Sequence, residues 1–354
     1  MSLLSPAVLL GAGFMLLSIV AGVGGGAWLV RSVRRRERET RRHGVAQLTR
    51  ELRAFLRRGR SATSLAERVA TAEPGAFWAA LETLDARGRN RRELSRALVR
   101  CAHVADERRA LRDESPWRRE LAARRLGLLR SRNSRQALRR ALARGPALVT
   151  LAAATALARD RDGRALRWLL AHPRALSRRT PRSLVTLMRA FGPGAWPLLT
   201  RALESERLDP ALERAAIETL GLAGDRGASD VIERRLQDGD LELRIAAARA
   251  LGRLRDRESV PALLVLLADP EWQARAHAAW ALGQLRDLET VDALAERLTD
   301  RAWWVRRHAA YALDRLGARG RAALEWAAKR SPDPYARDMA SEVLEGGFES
   351  AAGA

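Results

Sequence analysis

Five histidines, one cysteine and a pair of adjacent tryptophans are the residues of this 354-residue chain with most to offer chemistry. His277 and His308 stand 31 residues apart in similar surroundings, so two imidazoles could meet one layer apart. No third ligand accompanies them, and a protein zinc site takes three or four. Cys101 falls in the apolar rhythm Leu94, Leu98, Cys101, Val104, which predicts a buried helix residue and not a reactive thiol. A lone cysteine also excludes an intrachain disulfide. There is no Walker loop, HExxH helix or nucleophile elbow. The run G-V-G-G-G-A at 22–27 sits inside an uncharged stretch, which is no place for a phosphate. Most carboxylates fall at helix starts or four residues from an arginine, where caps and solvated pairs are the ordinary use. The expectation is a protein that is not an enzyme, with no catalytic residue, no cofactor and no metal.

That leaves the stretch T-D-R-A-W-W-V-R-R-H-A-A-Y-A-L-D at 299–314, with Trp303, Trp304, His308 and Tyr311. Its meaning depends on the elements around it, and these repeat. D-L-E-L-R-I-A-A-A-R-A-L-G-R-L from Asp240, P-E-W-Q-A-R-A-H-A-A-W-A-L-G-Q-L from Pro270 and R-A-W-W-V-R-R-H-A-A-Y-A-L-D-R-L from Arg301 superpose at a shift of 31 residues without a gap. Leu251, Leu282 and Leu313 share a column, as do Ala247, Ala278 and Ala309. Arg244, Arg275 and Arg306 share another, with Asp238, Asp269 and Asp300 six residues ahead of them. A second apolar run follows each copy, so each unit is two helices joined by a turn. Neither helix can bury its apolar stripe alone, and neighbours must stack into a continuous core. Asp269 before Pro270 predicts a helix N-cap with proline in the first turn. Weaker copies start near Ser115, Pro146 and Glu213, while the stretch from Leu184 fits only with a change of register.

The L-R-I-A-A-A-R-A-L-G, A-R-A-H-A-A-W-A-L-G and V-R-R-H-A-A-Y-A-L-D segments resemble HEAT repeats, in particular the short phycobilisome-lyase-like type. The resemblance implies an all-α solenoid of helical hairpins and an inter-repeat ladder built by Asp238, Asp269, Asp300, Arg244, Arg275 and Arg306. Asp314 stands where that pattern carries glycine, which suggests drift toward a terminal cap. It implies little about activity, because one fold hosts many uses.

Composition places the chain. Lys329 is the sole lysine among 64 basic residues, so part of the arginine excess reflects coding habit. Residues 31–208 carry 43 arginines against 17 acidic residues, whereas 209–345 carry 21 basic and 24 acidic, so only the proximal half is basic. From Ala7 to Val30 there is no charge and Ser18 is the only hydroxyl. Those 24 residues exceed the ~20 that cross a bilayer as a helix. They lack the basic start and short core of a cleaved leader. Arg31, Arg34, Arg35, Arg36, Arg38, Arg41 and Arg42 follow at once, which orients the span with its C-terminal side in the cytoplasm. The same arginines are placed to meet anionic headgroups. Ser18, Gly22 and Gly26 lie on one ridge where a second transmembrane helix could approach closely.

The expected organisation is an anchor over 1–30, a basic juxtamembrane segment over 31–44, a helical N-terminal cap over 45–114, the HEAT-like solenoid over 115–345 and a tail over 346–354. The cap expectation rests on Val45, Leu48, Leu52 and Phe55 sharing a stripe. The expected address is a cell inner membrane, single-pass and N-out, with the solenoid in the cytoplasm. The expected function is a scaffold or adaptor with a protein partner, an integral membrane or envelope enzyme being the kind of partner in view. Trp303 aligns with Trp272 and Leu241 and is expected to pack. Trp304 aligns with Glu242 and Gln273 and is the position singled out for a partner, flanked by Trp280 and Tyr311. Two other functions are weighed against this one. The basic 118–144 region could hold nucleic acid in the manner of HEAT-like DNA glycosylases, and the repeat type itself suggests a bilin lyase. The anchor, the arginine coding habit and the absence of a pigment site count against them.

Overall fold

The computed structural model describes residues 39, 42–57, 62–84, 86, 88–176, 179–205 and 207–346. The expected anchor with Ser18, Gly22 and Gly26, and the arginines 31, 34, 35, 36, 38 and 41, lie outside them. Among the described residues there is no strand, and no helix is long and apolar enough to cross a membrane. The chain divides into two compact units, 1–137 and 138–354.

In the first unit a helix over 42–57 (α1) is followed by α2 (Ala62–Ala70), α3 (Pro74–Leu84), α4 (Gly88–Leu98), α5 (Ala102–Ala110) and α6 (Pro116–Leu126). The expected stripe on α1 is half kept: Leu48 and Leu52 are buried, while Val45 and Phe55 are partly exposed. The core gathers Leu52, Val69, Phe77, Trp78, Leu94, Leu98, Val104 and Leu126. Phe77 meets Trp78 edge to face at 4.8 Å. The buried His103 reaches the Val69 carbonyl at 3.0 Å, so its ring is spent on a helix end where the Ala72 N–H also donates. Arg91 does likewise for α6, donating to the carbonyls of Gly127 at 2.7 Å and Leu128 at 3.1 Å. Cys101 is buried at the start of α5, and burial pushes its thiol pKa up, as expected of an inert position.

The division between units falls within α7 (Arg132–Arg144). From there the chain alternates longer and shorter helices: α8 (Ala147–Arg159), α9 (Gly163–Ala171), α10 (Pro181–Ala190), α11 (Trp196–Glu204), α12 (Pro210–Ala223), α13 (Ser229–Glu233), α14 (Leu241–Leu254), α15 (Val260–Leu266), α16 (Trp272–Leu285), α17 (Val291–Glu296), α18 (Trp303–Arg315), α19 (Ala318–Arg330) and α20 (Pro334–Leu344). The starts of α12, α14, α16, α18 and α20 are each 31 residues apart, and the register change expected near residue 184 appears in α10.

Within this second unit, α12, α14, α16 and α18 stack directly on one another. Alanines 247, 250, 278, 281, 309 and 312 are buried at the contacts. Glycine completes the close approach: a Cβ on Gly283 would stand 2.7 Å from Ala312 Cα, and one on Gly252 would stand 2.7 Å from the Trp280 ring. Asp314 takes the next place in that column and is partly exposed, in salt-bridge reach of Arg321 at 3.7 Å, so the notch is not needed there. A left-handed residue closes each layer at the same interval, at Gly224, Arg255, Arg286 and Gly317. Asp256 and Asp287 follow the two arginines and accept from the backbone N–H groups of Glu258 and Glu289. The tight turn is thus held by the aspartate even where the residue before it is not glycine.

Candidate functional site

The aspartate and arginine columns build a ladder of two rungs. Arg244 on α14 donates to Asp269 from Nη2 at 3.2 Å, with Nε in ion-pair reach at 2.9 Å but not hydrogen-bonded. Arg275 on α16 meets Asp300 at 2.8 and 2.9 Å. The remaining nitrogen of each arginine turns back to its own layer. Arg275 Nη1 donates to the carbonyls of Asp269 and Pro270, and Arg306 Nη1 to those of Asp300 and Arg301. Burial pushes the Asp300 carboxylate up, but its bond from Arg275 and the Ala302 N–H hold it below the usual value. The ladder is therefore structural and offers no free group for chemistry.

Asp238 and Arg306 are not joined into it. Glu213 occupies the place where an arginine would reach Asp238, and Glu213 is instead held by Arg235 at 2.5 Å. Beyond Arg306 the aspartate column carries Ser331, too short to reach, so the buried Arg306 keeps a hydrogen-bond-free Nε and stacks its guanidinium over Tyr335 at 5.0 Å. Arg337 continues the arginine column unnoticed in the repeat alignment, donating to the carbonyls of Ser331 and Pro332. Asp269 is not the N-cap of α16. That helix begins at Trp272, and Asp269 instead accepts from the Glu271 N–H at 2.8 Å while it takes Arg244. A carboxylate shared between a turn and a neighbouring layer sits two residues ahead of the cap, not at it.

The outward face of the stacked helices carries the aromatic residues. Trp304 is 46% exposed, as its place beside Glu242 and Gln273 implied. Trp303 is 43% exposed and Trp272 39%, so their column is not a packed one, contrary to expectation. Both lie at the first residue of a helix, where the side chain projects past the layer below. Tyr311 and Trp280 are partly buried, Trp280 lying over the Gly252 notch. Trp303 and Trp304 meet edge to face at 4.8 Å. Arg307, missed in the sequence, organises the group, its guanidinium lying 5.2 Å from the Trp303 ring, 5.7 Å from Trp304 and 5.4 Å from Tyr311. Its spacing of three and four residues from these aromatics is the signal that would have found it.

Next to this group, His277 and His308 come within 6.2 Å, ring to ring, and Trp304 stacks on His308 at 6.3 Å. Burial, then the nearby Arg249, hold His277 down to about 4; burial, then Arg307, hold His308 down to about 4. Both rings are neutral at ordinary pH, and the surrounding guanidiniums repel a cation. Among the described residues no three His, Cys, Asp or Glu side chains stand together as a metal site would need. The surface offers large flat rings beside guanidiniums, which suits binding.

In the basic 118–144 region several arginines are already engaged. Arg118 and Arg125 hold the buried Glu107 at 2.5 and 2.6 Å, Arg124 pairs with Glu120, and Arg139 with Asp162. Part of the positive charge that would meet a nucleic acid, four of the ten arginines in this region, is thus paired within the chain.

Residues 196–271 and 260–345 match the family model for HEAT repeats. The distal part of the chain, residues 196–345, is thus similar to HEAT repeats. No curated protein matches the chain by sequence. Among solved structures, the chain is similar to human deoxyhypusine hydroxylase in complex with glycerol at 19% identity, over 77% of this chain and 98% of that one, with a TM-score of 0.33. It is similar to the structure of Kap95p binding RanGDP at 14% identity, over 79% and 44%, with a TM-score of 0.46. An engineered protein is similar at 19% identity, over 68% and 95%, with a TM-score of 0.34.

Proposed function

We propose that this chain is a scaffold tethered to the cytoplasmic face of a membrane by residues 7–30, and that its HEAT repeats hold a protein partner and catalyse no reaction. The exposed Trp303–Trp304 pair beneath Arg307, with Tyr311 alongside, is the observation that carries it. Tryptophan, tyrosine and arginine are the side chains that contribute most per residue at protein interfaces. The structural use found for the ladder arginines leaves this ridge, with Trp280 and Trp304, as the surface built for a contact. The basic 31–42 segment would lie against anionic lipid, and the near-neutral 209–345 would face the partner, an integral membrane or envelope enzyme reached through both the span and the solenoid.

The test is isolation of the full chain from detergent-solubilised membranes. One stoichiometric protein is expected to accompany it and to be lost in Trp304→Ala and Tyr311→Ala chains whose melting is unchanged. Recovery of nucleic acid alone, or a partner indifferent to both substitutions, overturns the proposal.

A further inference from the structure

The first unit leaves a groove of about 620 Å³ between α1 and α3, in a part of the chain that the scaffold function does not use. Arg42, Arg50 and Arg53 line it. Among the described residues none gives these three an acidic partner, although the same unit finds acceptors for Arg91, Arg118 and Arg125. The rest of the lining is small and mostly apolar, including Val45, Ala46 and Ala79. Thr49, also in the lining, spends its hydroxyl on the Val45 carbonyl at 2.7 Å. Unneutralised guanidiniums beside an uncharged floor select a ligand with an anionic head and a hydrocarbon part. The lining has no aromatic ring, so a nucleic-acid base would find nothing to stack on.

We infer that this groove binds the headgroup and upper chains of an anionic phospholipid. The inference rests on the anchor, which fixes where the groove can be. Arg42 follows Val30 by twelve residues, a reach of at most about 40 Å of extended chain. The groove is thereby confined to the lipid surface that the span crosses, at a high local concentration of headgroups. The juxtamembrane arginines would attract any anionic surface, whereas the groove takes a single lipid of limited size.

The full chain in neutral detergent micelles, mixed with dihexanoyl phosphatidylglycerol, dihexanoyl phosphatidylcholine or inorganic phosphate and weighed by native mass spectrometry, tests it. One phosphatidylglycerol per chain is expected, with affinity at least tenfold above phosphatidylcholine. Arg50→Gln with Arg53→Gln should weaken it about tenfold. Ala46→Leu, an exposed site that fills the floor without changing charge, should do the same. Arg34→Gln, Arg35→Gln and Arg36→Gln together should leave the single site intact. Equal binding of phosphatidylcholine, displacement by phosphate at equal concentration, or wild-type binding by the groove variants overturns the inference. Alkaline extraction of the same membranes tests the anchor separately. A chain that is released but still takes one phosphatidylglycerol keeps the groove and loses the anchor, and the reverse result keeps only the anchor.

Discussion

Buried carboxylates are compensated by arginine in both units of the chain, but in different ways. In the second unit Asp269 and Asp300 each take one arginine from 25 residues earlier, so the α14 and α16 layers are each tied to the next by a pair of their own. In the first, Glu107 alone takes both Arg118 and Arg125. A one-to-one pair repeated at a fixed interval transmits register along a stack but has no reserve. A shared carboxylate holds one place firmly and tolerates the loss of a partner.

The largest expected effect follows from that difference. Arg275→Ala leaves Asp300, whose side chain is only 5% exposed, without its guanidinium. Breaking a buried pair from one side costs about 3 kcal/mol. Arg118→Ala leaves Glu107 with Arg125, so the loss should be closer to ~1 kcal/mol. Chemical denaturation of both variants checks this, and equal losses would dissolve the distinction between the two arrangements.

The distinction also governs what could be read from sequence. Where the unit recurs at 31 residues, the helix pairs, the alanine contacts and the Arg–Asp columns all stand in the alignment. The burial of Cys101 followed from local rhythm alone. Exposure at a helix start did not: Trp303 shares a column with apolar residues, yet the first residue of a helix projects beyond the layer that would cover it. The left-handed Arg255 and Arg286 were equally hidden, because arginine carries no turn signal and the aspartate after it does the holding. The first unit holds only the weak copy near Ser115, so the groove beside α1 and the convergence of Arg118 and Arg125 on Glu107 emerge only from the fold.

A second way to sharpen the comparison uses pH, since the paired imidazoles exist only where layers repeat. His277 and His308 are held at about 4 in the folded chain, against about 6.5 for a free imidazole. The unfolded chain then binds protons first, so stability is complete above about 6.5 and is lost as pH falls toward 4. The lowered Asp300 pKa acts in the same direction, but only in the carboxylate range below that. Melting should fall by several degrees between pH 7 and pH 5 in the native chain, and far less in His277→Gln/His308→Gln. An unchanged slope in the double variant would mean that the pair does not titrate on unfolding.

The smallest effect is a gain, at the place where the ladder stops. Ser331 already does half of what Asp269 and Asp300 do, its hydroxyl accepting from the Asp333 N–H at 3.3 Å as those carboxylates accept from Glu271 and Ala302. It lacks only the reach and charge to meet Arg306, whose Nε is buried without a hydrogen bond. Ser331→Asp supplies both with the local turn unchanged, and a charge-assisted bond at a partly buried site should raise stability by about 1 kcal/mol. The gain should vanish in Arg306→Lys, because a single ammonium cannot hold its own layer's carbonyls and a new carboxylate in the same planar fork. If Ser331→Asp instead destabilises the chain, the Tyr335 ring over Arg306 is the preferred partner at this end, and the ladder ends there by construction and not by the loss of one aspartate.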